Sequence, residues 1–158
     1  MKKLITLSLL TLSFSSFSQT QSGQLLLQGT VSDLLSITVT PRVGVNEALD
    51  LDSVLGASKG VEVADVTEIS NHPVGYKVTI SSAEGGKLKG SVGSESVPYT
   101  LDYGTNLNLD LSTSKEVSNN AGGFQQVDRV VKVKYQIPTV PLTAGTYSDT
   151  VTFTIATN

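Results

Sequence analysis

The feature that most constrains this chain is an alternation of apolar and polar residues along most of its length. Tyr76, Val78 and Ile80 alternate with Lys77 and Thr79. Four further sets show the same period: Val97, Tyr99, Leu101 and Tyr103; Leu107, Leu109 and Leu111; Val127, Val131, Val133, Tyr135 and Ile137; and Tyr147, Val151, Phe153 and Ile155. A period of two puts the apolar residues on one face of a strand, and no stretch carries a convincing helical period. The sequence therefore predicts an all-β fold.

Turn-forming residues separate these runs and indicate one β-sandwich. Asn, Gly and Pro cluster at residues 71–73, 84–86, 103–106, 119–123 and 144–145. Residues 84–90 are predicted to form a hairpin turn, and residues 48–55 either one helical turn or a strand. Short strands at such intervals predict an immunoglobulin-like β-sandwich over residues 33–158, without a second domain or an internal repeat.

The first residues indicate export. Met1-Lys2-Lys3 is a short basic start, an apolar run follows at residues 4–12, and small residues stand at Ser16 and Ser18. This order predicts a signal peptide over residues 1–18, cleaved between Ser18 and Gln19. The apolar run is too short to span a bilayer, and no second one follows. We therefore expect a mature protein of 140 residues without a membrane-inserted segment.

The composition of the mature chain restricts its partners and the source of its stability. Loss of Lys2 and Lys3 changes the net charge from −3 to −5, and basic clusters are absent, which argues against nucleic acid or anionic lipid as a partner. The chain has no cysteine, so its stability must come from core burial or from a partner. Tryptophan is also absent, which leaves Val, Leu, Ile and five tyrosines to build the core.

The segment between the signal and the first domain strand is unusual. Leu25, Leu27, Gly29 and Val31 alternate within it, and a glycine inside a strand costs packing and entropy. One interpretation is that something bulky approaches the backbone at Gly29. The alternative is an ordinary first strand with a bulge.

The collinear order of segments resembles chaperone–usher pilins, particularly the alternate, colonisation-factor major pilins, with similarity to spore-coat-U-type subunits of archaic pili. The last strand, PLTAGTYSDTVTFTI at residues 141–155, resembles the family's closing strand "aGtYsdtvtvti". Residues 96–104 resemble its "ipYtl.yg" strand, residues 71–82 its "sn..Gykvtl.s" segment, and residues 25–40 its donor strand with the first domain strand. Spore-coat-U-type subunits generally carry a cysteine in or near the first strand, so its absence favours the cysteine-free colonisation-factor branch or a further, undescribed relative.

The resemblance implies a sandwich that lacks one strand and is completed by the next subunit. Residues 19–32 would be the N-terminal donor extension, with Leu25, Leu27, Gly29 and Val31 pointing into the neighbour's groove. The acceptor groove would be lined by Leu35, Ile37, Val39, Tyr147, Val151, Phe153 and Ile155. The implied partners are other pilus subunits in a homopolymer, a periplasmic chaperone and an outer-membrane usher. The implied location is a pilus on the cell surface, reached through the periplasm.

The residues that carry catalytic or metal chemistry are sparse. His72, the single histidine, stands in a predicted turn. Asp50 and Asp52 share a strand face but lack the Gly and distal Glu of a calcium loop, so solvated acids are expected. Residues 84–90 are rich in Gly and Lys but lack the ending of a phosphate loop.

The remaining polar and aromatic residues also have structural explanations. Lys132 and Lys134 are expected on an outer face. Tyr76, Tyr99, Tyr103 and Tyr135 fall on apolar faces, which favours core packing over sugar stacking. We expect no enzymatic activity, no cofactor and no metal. The alternative function is a secreted, self-contained β-sandwich that binds a glycan or protein through its loops, with residues 19–32 docked in its own sheet.

Overall fold

The computed structural model describes residues 21–158, so the predicted signal peptide and its cleavage site lie outside the described residues. The chain divides between Val31 and Ser32 into two units. Residues 21–34 form no regular secondary structure. The described residues from Leu35 onward contain strands and turns and no helix, which confirms the all-β prediction.

Ten strands make up the domain, and they form two antiparallel sheets. They are β1 (Leu35–Pro41), β2 (Ser58–Ser70), β3 (Tyr76–Ser82), β4 (Lys87–Gly90), β5 (Ser96–Tyr103), β6 (Asn106–Leu109), β7 (Lys115–Asn119), β8 (Gln125–Gln136), β9 (Tyr147–Ser148) and β10 (Val151–Thr157). The large sheet has the order β1-β2-β8-β5-β4-β9, with β6 also paired to β5, and the small sheet has the order β10-β3-β7. The result is a β-sandwich.

The long antiparallel pair of β2 and β8 defines the two ends of the sandwich. Its register runs from Ser58 opposite Gln136 to Ser70 opposite Gln125, with one irregularity between Glu62 and Ala64. The end at which β2 finishes and β8 begins is called the upper end below, and the opposite one the lower end. At about 3.3 Å per residue, the ends lie about 40 Å apart.

The predicted alternation builds the core. The side chains of Tyr76, Val78 and Ile80 are fully buried, and the inward faces of β5 and β8 are buried as well. The predicted tyrosines pack in the core, where their hydroxyls find acceptors; that of Tyr135, for example, donates to the backbone oxygen of Asp50 at 2.9 Å. Apolar burial between two sheets is the source of stability that a chain without disulfides needs.

Two strand predictions were wrong in detail. Residues 147–155 are not one strand, because the chain leaves the large sheet after β9 and enters the small sheet at β10. Asp149 fixes this crossing by accepting hydrogen bonds from the Tyr99 hydroxyl at 2.6 Å and the Glu84 amide at 3.0 Å. Leu107 does not share the face of Leu109, because Asn108 adopts a positive φ of 56° and interrupts the alternation. Leu107 is therefore exposed.

Two connections also differ from expectation. Residues 84–90, predicted to form a hairpin turn, instead contain the end of the connection from β3 in the small sheet and the strand β4 (Lys87–Gly90) in the large one. Residues 48–55 form neither a helical turn nor a strand. Leu49 and Leu51 are nevertheless partly buried against the core, so their apolar character reflects packing rather than a strand.

Candidate functional site

β1 and β10 each end one side of their sheet, and β9 and β7 end the opposite sides. β1 is hydrogen-bonded only to β2, and β10 only to β3. The two strands lie next to each other in different sheets, and no backbone hydrogen bond joins them among the described residues. They run in opposite directions, since Leu35 and Thr157 both lie at the upper end. Their open edges face one another along one side of the sandwich.

Six of the seven predicted groove residues lie on these two strands. Leu35 and Ile37 on β1, and Val151, Phe153 and Ile155 on β10, are half-buried and pack against the core. Val39 on β1 is 40% exposed. Inward-facing residues of β3 and β5, by contrast, are almost completely buried. The core is thus incompletely covered along the line where β1 and β10 meet.

Tyr147, the seventh predicted residue, lies elsewhere. It belongs to β9 in the large sheet, where its hydroxyl donates to Glu95 at 2.7 Å and lies 3.0 Å from the backbone oxygen of Thr143. It lines a cavity of about 1010 Å³ near the lower end, between residues 46–55 and residues 141–149. The structure therefore does not bring Tyr147 to the β1–β10 edges.

The distance between β1 and β10 determines whether a further strand fits between them. Parts of β1 and β10 approach each other with Cα atoms within 8 Å. Neighbouring strands in a sheet lie about 4.8 Å apart, so a strand hydrogen-bonded to both would hold them about 9.6 Å apart. A strand inserted between them would have to move these parts of β1 and β10 apart by at least about 1.6 Å.

Neither open edge carries a charged residue. β1 reads LSITVTP and β10 reads VTFTIAT, whereas the interior strand β8 contains Lys132, Lys134 and Arg129. Proteins usually protect exposed sheet edges with lysine, with an inward-pointing charge or with a bulge. Apart from Pro41 at the end of β1, these two strands lack such protection.

Polar contacts hold both ends of β1 on the large sheet. Beyond its lower end, the guanidinium of Arg42 donates two hydrogen bonds of 3.0 Å to Asp65 and one to Glu62. The hydrogen bonds that Arg42 donates to Asp65, and then the one to Glu62, raise the pKa of Arg42. At the upper end, Asn71 accepts from the Leu34 amide at 2.7 Å and donates to the Ser32 oxygen at 2.9 Å. Asn71 therefore fixes the point at which the N-terminal extension leaves the domain.

The predicted donor residues are exposed. The side chains of Leu25, Leu27 and Val31 are each more than 80% exposed, and a Cβ added at Gly29 would meet nothing within 4 Å. No residue between 21 and 34 belongs to a strand, so the bulged first strand is absent from the structure. Three large apolar side chains on one short segment thus remain in contact with water.

A buried acid was missed by the sequence interpretation. Glu68 on β2 is completely buried and accepts hydrogen bonds from the Arg129 guanidinium at 2.7 Å, from the Tyr76 hydroxyl at 2.7 Å and from the Tyr103 hydroxyl. The ring of Tyr103 lies 5.5 Å from that of Phe153 on β10. This cluster links both sheets near the upper end.

The cluster changes the ionisation of its members. Burial, together with the hydrogen bond to Glu68, raises the pKa of Tyr103, and the same two causes raise that of Tyr76. Burial alone would lower the pKa of Arg129, but the hydrogen bond to Glu68 and its charge outweigh it, and the pKa is raised. The sequence does indicate that Glu68 is buried, because it follows Ala64 and Val66 in the alternation that forms the inward face of β2.

The other polar residues singled out in the sequence lie apart from this cluster. His72 lies in the loop between β2 and β3, and Lys132 and Lys134 lie on the outer face of β8, as predicted. Asp50 accepts hydrogen bonds from Lys59 at 2.8 Å and from Ser53, and these lower its pKa. Residues 21–158 contain no cluster of three or more side chains suited to a metal ion. Nor do they include a helix long and apolar enough to cross a membrane.

Comparison with known proteins adds no assignment. No family model matches the chain, and no curated protein matches it.

Proposed function

We propose that this chain is a structural subunit of a surface pilus, exported with the help of a periplasmic chaperone and an outer-membrane usher and polymerised by donor-strand exchange. The observation that carries the proposal is the pair of open, uncharged edges of β1 and β10, which face each other across an incompletely covered part of the core. An added strand would pair with both edges and cover the half-buried side chains between them.

The same chain carries a segment suited to that place. Leu25, Leu27 and Val31 alternate like the inward face of a strand and are exposed. Burying them in a neighbour's groove stabilises the joint by about 1.5–3 kcal/mol for each side chain, as an upper bound, and backbone hydrogen bonds add to this. Part of that energy offsets the cost of moving β1 and β10 apart.

The alternative function is a secreted binding module. The observation that favours it is the cavity of about 1010 Å³ at the lower end, which has both apolar walls, including Leu49 and Leu142, and polar ones, including Asp50 and Thr143. Concave sites with this mixture of side chains are typical of small-ligand binding. We give it second place because it leaves the exposed segment 21–31 and the two open edges without a role.

The test is unboiled SDS gel electrophoresis of protein recovered from cells that contain the matching chaperone and usher. Wild type should give a ladder of high-mass bands that collapses to monomer on boiling. Deletion of residues 21–31 should abolish the ladder. Leu27→Asp should also abolish it, because the substitution would bury a charge in the groove. Gln28→Asp is the matched control, since residue 28 lies on the opposite face of the donor strand and should retain the ladder.

Gly29 provides a second test of the same joint. Among residues 21–158, an added Cβ at this position would meet no atom within 4 Å beyond its chain neighbours, so Gly29→Val should leave the thermal unfolding of the isolated subunit unchanged. In the polymer, the added side chain would meet the floor of the neighbour's groove and weaken the ladder. A wild-type subunit that folds normally but runs as monomer under all conditions would refute the proposal and favour the binding module.

A further inference from the structure

The exposed apolar side chains of the domain include a group of three at each end of the sandwich. At the upper end, Leu34, Val74 and Phe124 are 44%, 55% and 66% exposed, and they are called the upper patch here. At the lower end, Val54, Leu55 and Val140 are 61%, 47% and 70% exposed, and they are called the lower patch. Phe124 is one of only two phenylalanines that follow the predicted signal peptide. Large apolar side chains grouped on a surface often mark an interaction site.

Backbone contacts bring the members of the upper patch together. Asn71 bonds to Leu34 through both its amide and its side chain. The loop that begins there, residues 71–75, joins the loop before β8 through the hydrogen bond from the Gly123 amide to the His72 oxygen at 3.1 Å. Val74 lies on the first of these loops and Phe124 on the second.

The lower patch is tied together in the same way. The Gly56 amide donates to the Ile137 oxygen at 3.0 Å, and the Ile137 amide donates to the Ala57 oxygen at 2.8 Å. These bonds join the loop that carries Val54 and Leu55 to the segment that leads to Val140. Each patch therefore occupies a defined end of the β2–β8 pair.

The length of the linker restricts how two subunits meet in the proposed polymer. The donor alternation ends at Val31 and β1 begins at Leu35, so three residues connect them. Three extended residues span at most about 10 Å. Two of the three are already bonded to Asn71. The upper end of a donating subunit must therefore lie directly against its acceptor.

In a continuing fibre, the upper end of the donating subunit must lie on the side of the acceptor toward which β1 runs, which is the side of the lower end. If the donor strand finished at the acceptor's upper end, two upper ends would touch. The acceptor's own extension leaves from that same end, so a third upper end would have to fit there. A repeating contact between different ends avoids this crowding and extends without closing. The donor strand then runs parallel to β1 and antiparallel to β10.

We propose that the upper patch of each subunit packs against the lower patch of the next copy of this chain, as a second interface beside the donor strand. The inference rests on the proposed function. The interface removes six exposed apolar side chains from water and restricts bending at the three-residue linker. Each patch then binds one partner, the opposite end of the neighbouring subunit.

Cysteine cross-linking tests the contact, because the natural chain contains no cysteine. Fibres of the double variant Phe124→Cys with Val140→Cys are treated with a short bismaleimide, boiled and separated on an SDS gel. We expect a ladder that survives boiling. The control pair, Phe124→Cys with Glu116→Cys, places the second thiol on an exposed position of β7, away from the lower patch, and should collapse to monomer. A second pair, Val74→Cys with Val54→Cys, repeats the test with different side chains.

The outcomes separate this inference from the proposed function. An unboiled ladder with only monomer after cross-linking and boiling, in both test pairs, would show donor-strand joints without the end contact and overturn the inference alone. Cross-linked dimers from Phe124→Cys by itself would show upper ends in contact and overturn it as well. Loss of the unboiled ladder in both test pairs but not in the control pair would support the contact. Absence of the unboiled ladder in wild type would refute the proposed function.

Discussion

Replacement of Arg129 by methionine tests how the buried cluster at the upper end stabilises the sandwich. Arg129→Met keeps most of the apolar length of the side chain but removes the guanidinium that lies 2.7 Å from Glu68 and 5.2 Å from the centre of the Tyr103 ring. Glu68 is completely buried, so its carboxylate would lose its only positively charged partner among the described residues without gaining water. We expect a large loss of stability.

The magnitude follows from the burial of the pair. Removing one partner of a buried ion pair costs about 3–5 kcal/mol. The lower value applies here, because the Arg129 side chain is 13% exposed and Glu68 retains two tyrosine hydroxyl donors. For the 127 residues from Ser32 to Asn158, unfolding entropy near the midpoint is about 0.27 kcal/mol/K. A loss of about 3 kcal/mol therefore lowers the Tm by about 11 °C.

The assay is thermal and urea unfolding of the isolated subunit, followed by circular dichroism. With an m-value of about 1.5 kcal/mol/M, the urea midpoint should fall by about 2 M. Arg42→Met is the matched control, because Arg42 also contacts carboxylates, but at exposed positions where ion pairs contribute little. Equal effects of the two substitutions, or a Tm change below about 4 °C for Arg129→Met, would refute the reasoning.

Three further predictions concern the same domain. Gly75→Ala should lower the free energy of unfolding by more than about 2 kcal/mol, because φ is 81° and the new Cβ would lie 2.1 Å from the Asn119 oxygen. Gly44→Ala, with φ of 78° but open space around it, should lower it by about 1 kcal/mol. Urea unfolding measures both. Ile80→Ala should cost about 2–5 kcal/mol in the same assay, because its side chain is fully buried between the sheets. The raised pKa of Tyr103 stabilises the folded state below pH about 10, and this stabilisation is lost as the pH rises through the pKa of Tyr103 in the folded protein. Tyrosinate absorbance from Tyr103 should therefore appear together with unfolding rather than before it.

The fold was predictable because burial on one face imposes a period of two on the sequence. Tyr76, Val78 and Ile80 are buried as the alternation requires, and so is the inward face of β5. The alternation does not show which strand each strand pairs with. Tyr147 and Val151 continue one alternation, yet the chain changes sheets between them, because Asp149 is held by groups from β5 and the β3–β4 turn.

Parts of the candidate site were predictable from local pattern, and others depend on contacts distant in sequence. Leu35, Ile37 and Phe153 were placed on the two edge strands because each follows a local alternation. Glu68 and Arg129 are 61 residues apart in the chain and meet only after β2 pairs with β8. The alternation shows that both side chains point inward, but a single charged residue on an apolar face does not indicate which residue it pairs with.

The composition of the edges gives a physical reason to expect a covering strand. An open sheet edge is a template for pairing, and charged residues on that edge usually prevent unwanted association. In this domain, β8 lies inside the large sheet and carries Lys132 and Lys134, whereas β1 and β10 lie at open edges and carry no charge. A protein that stays monomeric usually has the opposite distribution of charged residues, with charges on its edge strands. The distribution in this domain is the one expected if the two edges pair with a further strand, since charges there would hinder the insertion on which the joint depends.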